Sequence, residues 1–420
     1  MCNKTEKILN FYKGIDRGNY GPDARCKPFW HRENFNHFLR GEDFLVKPVT
    51  VEYWPSLLCN SRCPLCPYRR NGARTEADLA EYGTSDLKRF FPDTSKTRQI
   101  ASECKKMGVL SVLITGGGEP FFNPDIDKIA RMFVENGISI GIYSNGTVAA
   151  REQSIRAVSD LNPRFVRLSV NVGSSMEHRR EYNVPSGWDI LCQNSRFWAQ
   201  VLPENIPLSF SWVFTGDEPP DTYKGAGKFL LDLHHDTNRN VSGHFRPKYI
   251  YYNRDGSVYY PASVNFDSIV KNVNEFVRPM IQNEPGIDVQ INTYAINISR
   301  IEPRPQASFA TGWATSLTHC GDGYITSELN GSTWPNTCWG RIGCGVSFED
   351  LWFGKERYRL WRLYSQEARL PVYHKLTGLS NVLKALRELC PEPFSVEETD
   401  DFWNKFNSEG FKRPPNWDFI

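Results

Sequence analysis

The chain has 420 residues, which is enough for two domains. Its 50 basic and 48 acidic residues nearly balance, and the resulting net charge of +2 disfavours nucleic acid as the main partner. No apolar run is long enough to span a membrane and no signal segment opens the chain, so a cytoplasmic location without a membrane partner is predicted. The eleven cysteines are odd in number and unevenly spread, which favours metal ligation in a reducing compartment over a disulfide scaffold.

The strand and helix patterns predict an N-terminal extension followed by a parallel α/β domain. Residues 1–48 are polar and aromatic, with Gly and Pro interruptions that indicate short helices and loops. Strands and helices then alternate over residues 49–302, which favours parallel strands in a doubly wound sheet or an incomplete barrel. The helix after the fifth strand is displaced by an irregular insertion at about 219–263. The predicted strands are Val49–Tyr53, Val109–Ile114, Ile138–Tyr143, Phe165–Val170, Leu208–Phe214 and Ile287–Tyr294, and the predicted helices are Thr94–Met107, Asp125–Glu135, Arg151–Leu161, Trp188–Val201 and Asn265–Ile281.

Three cysteines directly follow the first predicted strand. Cys59, Cys63 and Cys66 form the pattern C-x-x-x-C-x-x-C. Three thiolates on one loop suit three irons of a four-iron, four-sulfur cube, and the fourth iron then has no protein ligand and is open to a reactant. A zinc knuckle is the alternative, but zinc usually takes four ligands, and no second cysteine pair or histidine lies nearby in the sequence.

Polar residues also follow the next three predicted strands. Thr115–Pro120, with the sequence TGGGEP, follows the second strand, Ser144–Thr147 follows the third, and Ser169 and Asn171 close the fourth. In parallel barrels the functional groups lie at the carboxyl ends of the strands, so this placement favours an incomplete barrel. The glycines permit close approach of backbone to a ligand, and the run lacks the dinucleotide fingerprint G-x-G-x-x-G.

The cysteine loop and the GGE segment one strand later together resemble the radical S-adenosylmethionine (SAM) superfamily. The resemblance covers roughly residues 49–390. It implies a partial (β/α)6 parallel barrel that holds SAM and a [4Fe-4S] cluster with one open iron site, bound by Cys59, Cys63 and Cys66. It also implies the residues that contact SAM, which are Gly116, Gly117, Gly118, Glu119, Asn145, Ser169, Asn171 and Arg180.

The resemblance implies that backbone near Gly117–Glu119 hydrogen-bonds the SAM amino group, and it gives two side chains a stated partner on SAM. Ser169 corresponds to a serine that touches the ribose, and Arg180 to an arginine that pairs with the carboxylate, for which a planar guanidinium is well suited. A solvated basic pair of Arg179 and Arg180 is the alternative. Asn171 stands where the family often has Asp, and Asn145 fits a simple turn equally well.

The C-terminal third, residues 303–420, changes character. The strand–helix alternation stops, and Cys320 and Cys338 enclose a segment whose Asn330-Gly331 pair predicts a β-hairpin. Ser347 is placed to cap a short helix that follows.

These C-terminal features resemble the SPASM or twitch extension of radical SAM enzymes, and the lack of a tight C-x-x-C run favours the shorter twitch type. The fold class is therefore α/β with a SPASM/twitch-like α+β extension. The resemblance implies a second, auxiliary [4Fe-4S] cluster, and a zinc site on the same thiolates is the alternative. Its ligands would be Cys320, Cys338, Cys344 and Cys390.

The reaction implied by the resemblance begins when one electron passes from the reduced cluster into SAM. Methionine and a 5′-deoxyadenosyl radical result, and this radical abstracts hydrogen from a substrate carbon. An auxiliary cluster favours a net two-electron oxidation, since it offers an electron acceptor, whereas return of a hydrogen atom would give epimerisation. A one-electron donor such as flavodoxin or ferredoxin is an implied partner, and no catalytic side chain is assigned.

The class of substrate stays open between two alternatives. Peptide-modifying relatives often carry an N-terminal winged-helix domain that needs more than the 48 residues before the first strand, which favours a small natural-product or sugar-like substrate. A separate leader-binding protein would restore a maturase that crosslinks or epimerises a ribosomal precursor peptide. A non-catalytic iron–sulfur or zinc protein is the alternative from another class.

Overall fold

The computed structural model describes the elements from which the site is built. It covers residues 4–14, 24–63, 66, 74–75, 91–92, 94–182, 184, 186–248, 251–252, 258–260, 264–291, 314–318, 324–326, 341–343, 347–355, 357–358, 383 and 386–413. Within these ranges, none of the helices combines the length and the apolar character needed to cross a membrane.

One large sheet organises the α/β fold. The strands are β1 Thr50–Trp54, β2 Leu58–Cys59, β3 Arg74–Thr75, β4 Ser111–Ile114, β5 Ser139–Ser144, β6 Val166–Ser169, β7 Leu208–Phe214, β8 Val241–Pro247, β9 Tyr251–Tyr252, β10 Val258–Tyr260, β11 Ile287–Ile291, β12 Ala314–Thr318, β13 Tyr324–Thr326 and β14 Arg341–Gly343. The strand order is β11-β8-β7-β6-β5-β4-β1-β12-β13-β14. The seven strands from β11 to β1 are parallel, β12 continues parallel to β1, and β13 is antiparallel to both of its neighbours.

The helices that connect the parallel strands form one layer on the sheet. The helices are α1 Lys4–Gly14, α2 Arg32–Leu39, α3 Thr94–Met107, α4 Ile126–Glu135, α5 Glu152–Ser159, α6 Ser175–Tyr182, α7 Gly187–Val201, α8 Pro220–Thr237, α9 Phe266–Asn272, α10 Arg278–Ile281, α11 Phe348–Trp352 and α12 Val396–Ser408. Neighbouring helices touch in the series α3–α4, α4–α5, α5–α7 and α7–α8. Right-handed crossovers between parallel strands place successive helices on one side in this way.

Alternation along the strands separates an apolar face, under the helices, from a polar face. On β7, Phe210 and Trp212 lie against Phe229 of α8, with ring centroids 5.1 Å and 6.1 Å away. Trp212 also stacks on Phe245 of β8 at 4.9 Å. Because successive side chains of a strand point to opposite faces, the residues between these aromatics point to the face opposite the helices, called here the inner face.

The structure corrects the predicted irregular insertion at 219–263. Most of this stretch is a regular helix and strand, α8 and β8, and β8 lies hydrogen-bonded between β7 and β11. The parallel series therefore has seven strands where the sequence predicts six. Among the described residues of this stretch, Tyr251–Tyr252 and Val258–Tyr260 form a separate antiparallel pair, β9–β10.

Other local predictions are confirmed where the structure describes them. Thr94–Met107 is a helix, and Gly108 ends it at a φ of +82°. Ser347 caps α11, because its Oγ accepts a hydrogen bond from the Asp350 N–H at 3.1 Å. Within the predicted hairpin, Tyr324–Thr326 is a strand, which pairs with β12 and β14, while the predicted turn at Asn330-Gly331 lies outside the described residues.

The N-terminal extension and α12 share a second apolar cluster. Phe35 of α2 and Phe402 of α12 are both fully buried there, with ring centroids 5.6 Å apart. The cluster also contains Val49, directly before β1, and contacts Leu110, directly before β4. It therefore lies at the amino ends of the parallel strands, opposite the end where the cysteine loop begins.

Candidate functional site

The three cysteines of the predicted cluster motif lie on the loop after β1. Cys59 ends the short strand β2, and its Sγ accepts a hydrogen bond from the Ser61 N–H at 3.4 Å. The Cys66 N–H donates to the Cys63 carbonyl at 3.1 Å, which ties together the backbone of these two predicted ligands. All three thiols are free of disulfides and half-buried.

The end of α6 supports the middle of this loop. The Arg62 N–H donates to the carbonyl of Tyr182 at 3.1 Å. Cys63 packs against an apolar group formed by Val172, Tyr182 and Val184. These contacts fix the loop to the segment after β6, so the thiols are held by two separate parts of the barrel.

The thiols interact with one another electrostatically. Burial, followed by the charges of Cys59 and Cys66, raises the pKa of the Cys63 thiol well above its ordinary value. Burial and then the Glu119 carboxylate raise the pKa of Cys59 to about 12. Metal binding requires thiolates and releases protons, so these thiols would lose their protons when iron binds.

A buried lysine faces the same sulfurs. Lys248 follows β8, and burial together with Arg246 lowers its pKa to about 7, whereas Cys66 and Cys63 act in the opposite direction. No group of three His, Cys, Asp or Glu side chains is arranged to hold a single ion in the part of the chain that the structure describes. The cysteines of a cube each bind a different iron, and three mutually close thiols beside one cation suit an anionic cluster of this kind.

The predicted GGE segment is clamped to the start of the cysteine loop. The Gly118 N–H donates to the Ser56 carbonyl at 3.0 Å, and the Glu119 N–H donates to the Leu58 carbonyl at 2.7 Å. A methyl group at Gly118 would overlap the backbone of Leu57 and Leu58. Glycine at this position therefore allows two loops to pack backbone against backbone.

The Glu119 side chain is a buried positioning group. Its carboxylate accepts hydrogen bonds from the Phe121 N–H at 3.0 Å, the Ser144 hydroxyl at 2.7 Å and the Asn145 N–H at 2.7 Å. Burial raises its pKa to about 7, and these three donors oppose the rise. The carboxylate thus ties the loop after β4 to the end of β5. Because its oxygens are occupied by these three donors, the atoms of the GGE segment that remain for a contact with SAM are backbone atoms.

Asn145 joins the end of β5 to Cys59, the first predicted cluster ligand. Its amide Nδ2 lies 3.7 Å from the Cys59 Sγ and donates to the Asn60 Oδ1 at 2.9 Å. Its Oδ1 accepts from the Thr147 N–H at 2.8 Å. Donors to a ligating sulfur tune the properties of an iron–sulfur cluster, so Asn145 is placed to act on the cluster through Cys59.

Asn145→Asp is expected to lower the rate of SAM cleavage about tenfold, since loss of a partner of a metal ligand typically costs 10–100-fold. A carboxylate in this position replaces an N–H donor with a negative charge beside the Cys59 sulfur. The rate of 5′-deoxyadenosine release measures the effect. Asn136→Asp is the control, because Asn136 caps the end of α4, outside the cysteine loop; equal losses in both variants would contradict the assigned contact.

The remaining predicted SAM contacts lie at the ends of β6 and α6. Ser169 ends β6, half-buried and in register with Ser211. Asn171 adopts a φ of +60°, and its Oδ1 accepts from the Val213 N–H at 3.0 Å. Arg180 lies on the exposed side of α6, and its Nε donates to Glu181 at 2.9 Å. The contacts of these residues with SAM stay predictions.

The predicted auxiliary ligands are only partly within the described structure. Cys320, Cys338 and Cys344 lie outside the described residues. Cys390 is buried in the cluster at the amino ends of the strands, and its Sγ lies 3.8 Å from the Lys4 carbonyl. This location favours a core role for Cys390, and its place among the auxiliary ligands stays a prediction.

Sequence reasoning missed the charged side chains of the inner face. Arg167 on β6 and His244 and Arg246 on β8 fall at the alternate positions that point away from the helices. The signal was present in β8 as the alternation Val-Ser-Gly-His-Phe-Arg-Pro. The prediction of an irregular insertion at 219–263 hides this signal, because alternating residues indicate the two faces of a sheet only when the segment is a strand.

Comparison with known proteins identifies the domain around the cysteine loop. Residues 55–201 match the sequence profile of the radical SAM superfamily. The PqqA peptide cyclase of Methylorubrum extorquens strain PA1 is 28% identical over 153 residues, 36% of this chain and 36% of that protein. The AdoMet-dependent heme synthase of Methanosarcina barkeri is 32% identical over 116 residues, 27% of this chain and 28% of that protein. The chain thus matches about a third of the length of these curated relatives.

A solved structure shows the same fold over a longer stretch. The crystal structure of Streptococcus suis SuiB superposes with a TM-score of 0.50 and 15% identity, covering 86% of this chain and 77% of that chain. The parallel sheet described above is consistent with the predicted partial barrel. Residues 55–201 are therefore a domain of the radical SAM superfamily, the family that the cysteine loop and the GGE segment predicted.

Proposed function

We propose that the protein reductively cleaves SAM and oxidises a small substrate at an unactivated carbon. The observation that carries this proposal is the group of Cys59, Cys63 and Cys66, three mutually close thiols held on a loop at the carboxyl ends of parallel strands. Members of the superfamily are enzymes, which supports catalysis over a purely structural metal site. When bound, the cluster and SAM supply a 5′-deoxyadenosyl radical that abstracts hydrogen from the substrate.

The chain's own residues would hold and shield these groups. Cys59, Cys63 and Cys66 would hold three irons of the cluster, and the fourth iron would be left for the amino and carboxylate groups of SAM. The GGE segment keeps the loop in place through Gly118 and Glu119, whose N–H groups are committed to loop carbonyls. The carbonyl groups of the segment would then accept hydrogen bonds from the SAM amino group, since an amine whose lone pair binds iron can only donate.

An auxiliary cluster would complete the oxidation by accepting the second electron. The strands β12 and β14 both run parallel to β1, and their last residues therefore lie at the edge of the sheet where the cysteine loop begins. In the sequence, Cys320 follows β12 by two residues and Cys344 directly follows β14. This supports the predicted auxiliary site for Cys320 and Cys344, whereas Cys338 and Cys390 are proposed as ligands from the family resemblance alone.

Anaerobic reconstitution tests both parts of the proposal. With dithionite and SAM, the protein is expected to release 5′-deoxyadenosine and methionine, and iron analysis is expected to give about eight irons per chain. About four irons with one zinc per chain would show that the second site holds zinc and would contradict the auxiliary cluster. An intact cluster that never yields 5′-deoxyadenosine, with or without candidate substrates, would favour a non-catalytic iron–sulfur protein.

A peptide maturase is the second candidate, favoured by the similarity to a PqqA peptide cyclase. Under this candidate the radical would act on a side chain of a ribosomal precursor, giving a crosslink or an epimer. Mass spectrometry of precursor peptides encoded beside the gene separates the two. A loss of two hydrogens indicates a crosslink, and deuterium uptake from heavy water without a change of formula indicates an epimer.

A further inference from the structure

We propose that the inner face of the sheet binds an anionic group of the substrate, a carboxylate or phosphate, between Arg167 and Arg246. This inference rests on the proposed function and adds the chemical class of the substrate. Both side chains belong to neighbouring strands of the same parallel series, β6 and β8, which flank β7. They therefore reach into one region of the site rather than lying on separate surfaces.

The strand register places the two arginines on the same face. Arg167 is opposite Ser209 of β7, and Val213 of β7 is opposite Arg246 of β8. Ser209 and Val213 are four residues apart on one strand, so they share a face. β6 and β8 are two strand spacings apart, about 10 Å, and the offset of four residues adds about 13 Å along the strands. The two guanidinium groups would therefore contact a ligand from opposite sides.

Small polar side chains lie between these two arginines on the inner face, together with Val213 and His244. Ser209 and Ser211 of β7 and Ser242 of β8 all point to the inner face, and the first two are buried. Serine hydroxyls both donate and accept hydrogen bonds. A stretch of sheet lined by serines between two guanidinium groups suits oxygen-rich anions better than an apolar substrate.

Arg167 is held in a fixed orientation by its neighbours. Its Nε donates to the Ser209 hydroxyl at 3.2 Å, and its Nη1 donates to the Tyr143 hydroxyl at 3.1 Å. The guanidinium also lies over the Tyr143 ring, 5.2 Å from the centroid. These contacts use two of its five N–H donors, so a preoriented charge with further donors remains for a ligand.

The positive charges of this region act on His244, which lies between them on β8. Burial, followed by Arg167 and Arg246, lowers the pKa of His244 well below its ordinary value. His244 is therefore neutral near pH 7 and hydrogen-bonds with Ser242 at 3.2 Å. Both arginines are thus close enough to act on one imidazole, and neither forms an ion pair with another residue of the described ranges.

The carboxylate of SAM is the other anion that one of these two arginines could bind. Lys248, two residues after Arg246, interacts with Cys63 and Cys66 and is therefore nearer the cluster. Arg167 lies two residues before Ser169, deeper along β6 from the strand end where the cluster is held. The depth of Arg167 favours a substrate group, and saturation with SAM in the experiment fills the cofactor's own site.

Equilibrium dialysis of radiolabelled inorganic phosphate and of succinate tests the inference on the full chain, anaerobically reconstituted and saturated with SAM. Arg167→Gln and Arg246→Gln are each expected to weaken binding of the better probe at least tenfold. Arg131→Gln, on the exposed side of α4, is expected to leave it unchanged. Iron content and SAM affinity are measured for each variant, so that a folding defect is recognised.

The outcomes separate this inference from the proposed function. If neither probe binds while the protein forms 5′-deoxyadenosine, the anion site is wrong and the enzyme assignment stands. If Arg246→Gln loses SAM and keeps the probe, that arginine serves the cofactor and the inference fails. If no SAM binds to the wild type, the function fails, and arginine-dependent probe binding to the SAM-free protein still supports an anion site.

Discussion

Replacing Cys63 by alanine is expected to reduce the formation of 5′-deoxyadenosine to below detection. Cys63 is the central one of the three proposed ligands, and its thiol interacts electrostatically with both Cys59 and Cys66. We expect that a cube with only two protein ligands is not retained, so that about four irons per chain are lost. Iron analysis and quantification of 5′-deoxyadenosine on the anaerobically purified variant measure the two effects.

Cys192→Ala is the matched control for this experiment. Cys192 is also half-buried and free of disulfides, but it lies on α7 in the helix layer. Its removal is expected to leave the iron content and the rate unchanged. Full activity in Cys63→Ala, or an equal loss in both variants, would contradict the assignment of the cluster loop.

A second large effect is expected from Gly118→Ala, although residue 118 offers no metal ligand. The added methyl group would meet the carbonyl of Leu58 and the backbone of Leu57, which cannot yield as a flexible side chain does. The loop that ends in Cys59 would have to move, and the hydrogen bond from the Gly118 N–H to the Ser56 carbonyl would be strained. Because displaced partners of a metal ligand typically cost 10–100-fold, the rate of SAM cleavage should fall about 100-fold.

The matched glycine substitution is Gly14→Ala at the end of α1. A methyl group at Gly14 meets no atom within 4 Å, so this variant is expected to behave like the wild type. Circular dichroism of both variants establishes that the fold is retained. If Gly118→Ala keeps the wild-type rate and iron content, then the close packing of the two loops is not what positions the cysteines.

The parts of the site that the sequence predicted are those with local signatures. Cys59, Cys63 and Cys66 stand at fixed spacings on one loop, and the glycines of TGGGEP can be recognised because close backbone packing admits only glycine there. The strands carry runs of apolar residues typical of a buried parallel sheet. These features depend on a few neighbouring residues, and a single sequence displays them directly.

The parts that the sequence did not predict depend on contacts between distant segments. Helix α8 contains Gly225 and Gly227, which lower helix propensity and made the segment look irregular. In the structure a methyl group at Gly225 would overlap the backbone of Gly173, so the glycine serves the packing of α8 against the loop after β6. The contact of Asn145 with Cys59 likewise joins residues 86 positions apart.

Mössbauer spectroscopy of the 57Fe-reconstituted Cys338→Ala variant, before and after addition of SAM, tests the open iron site most directly. This variant removes one proposed ligand of the auxiliary cluster and simplifies the spectrum. Binding of SAM to one open iron is expected to shift about one quarter of the signal of the remaining cluster. A spectrum that SAM leaves unchanged, or a single zinc ion in place of the cube, would contradict the account.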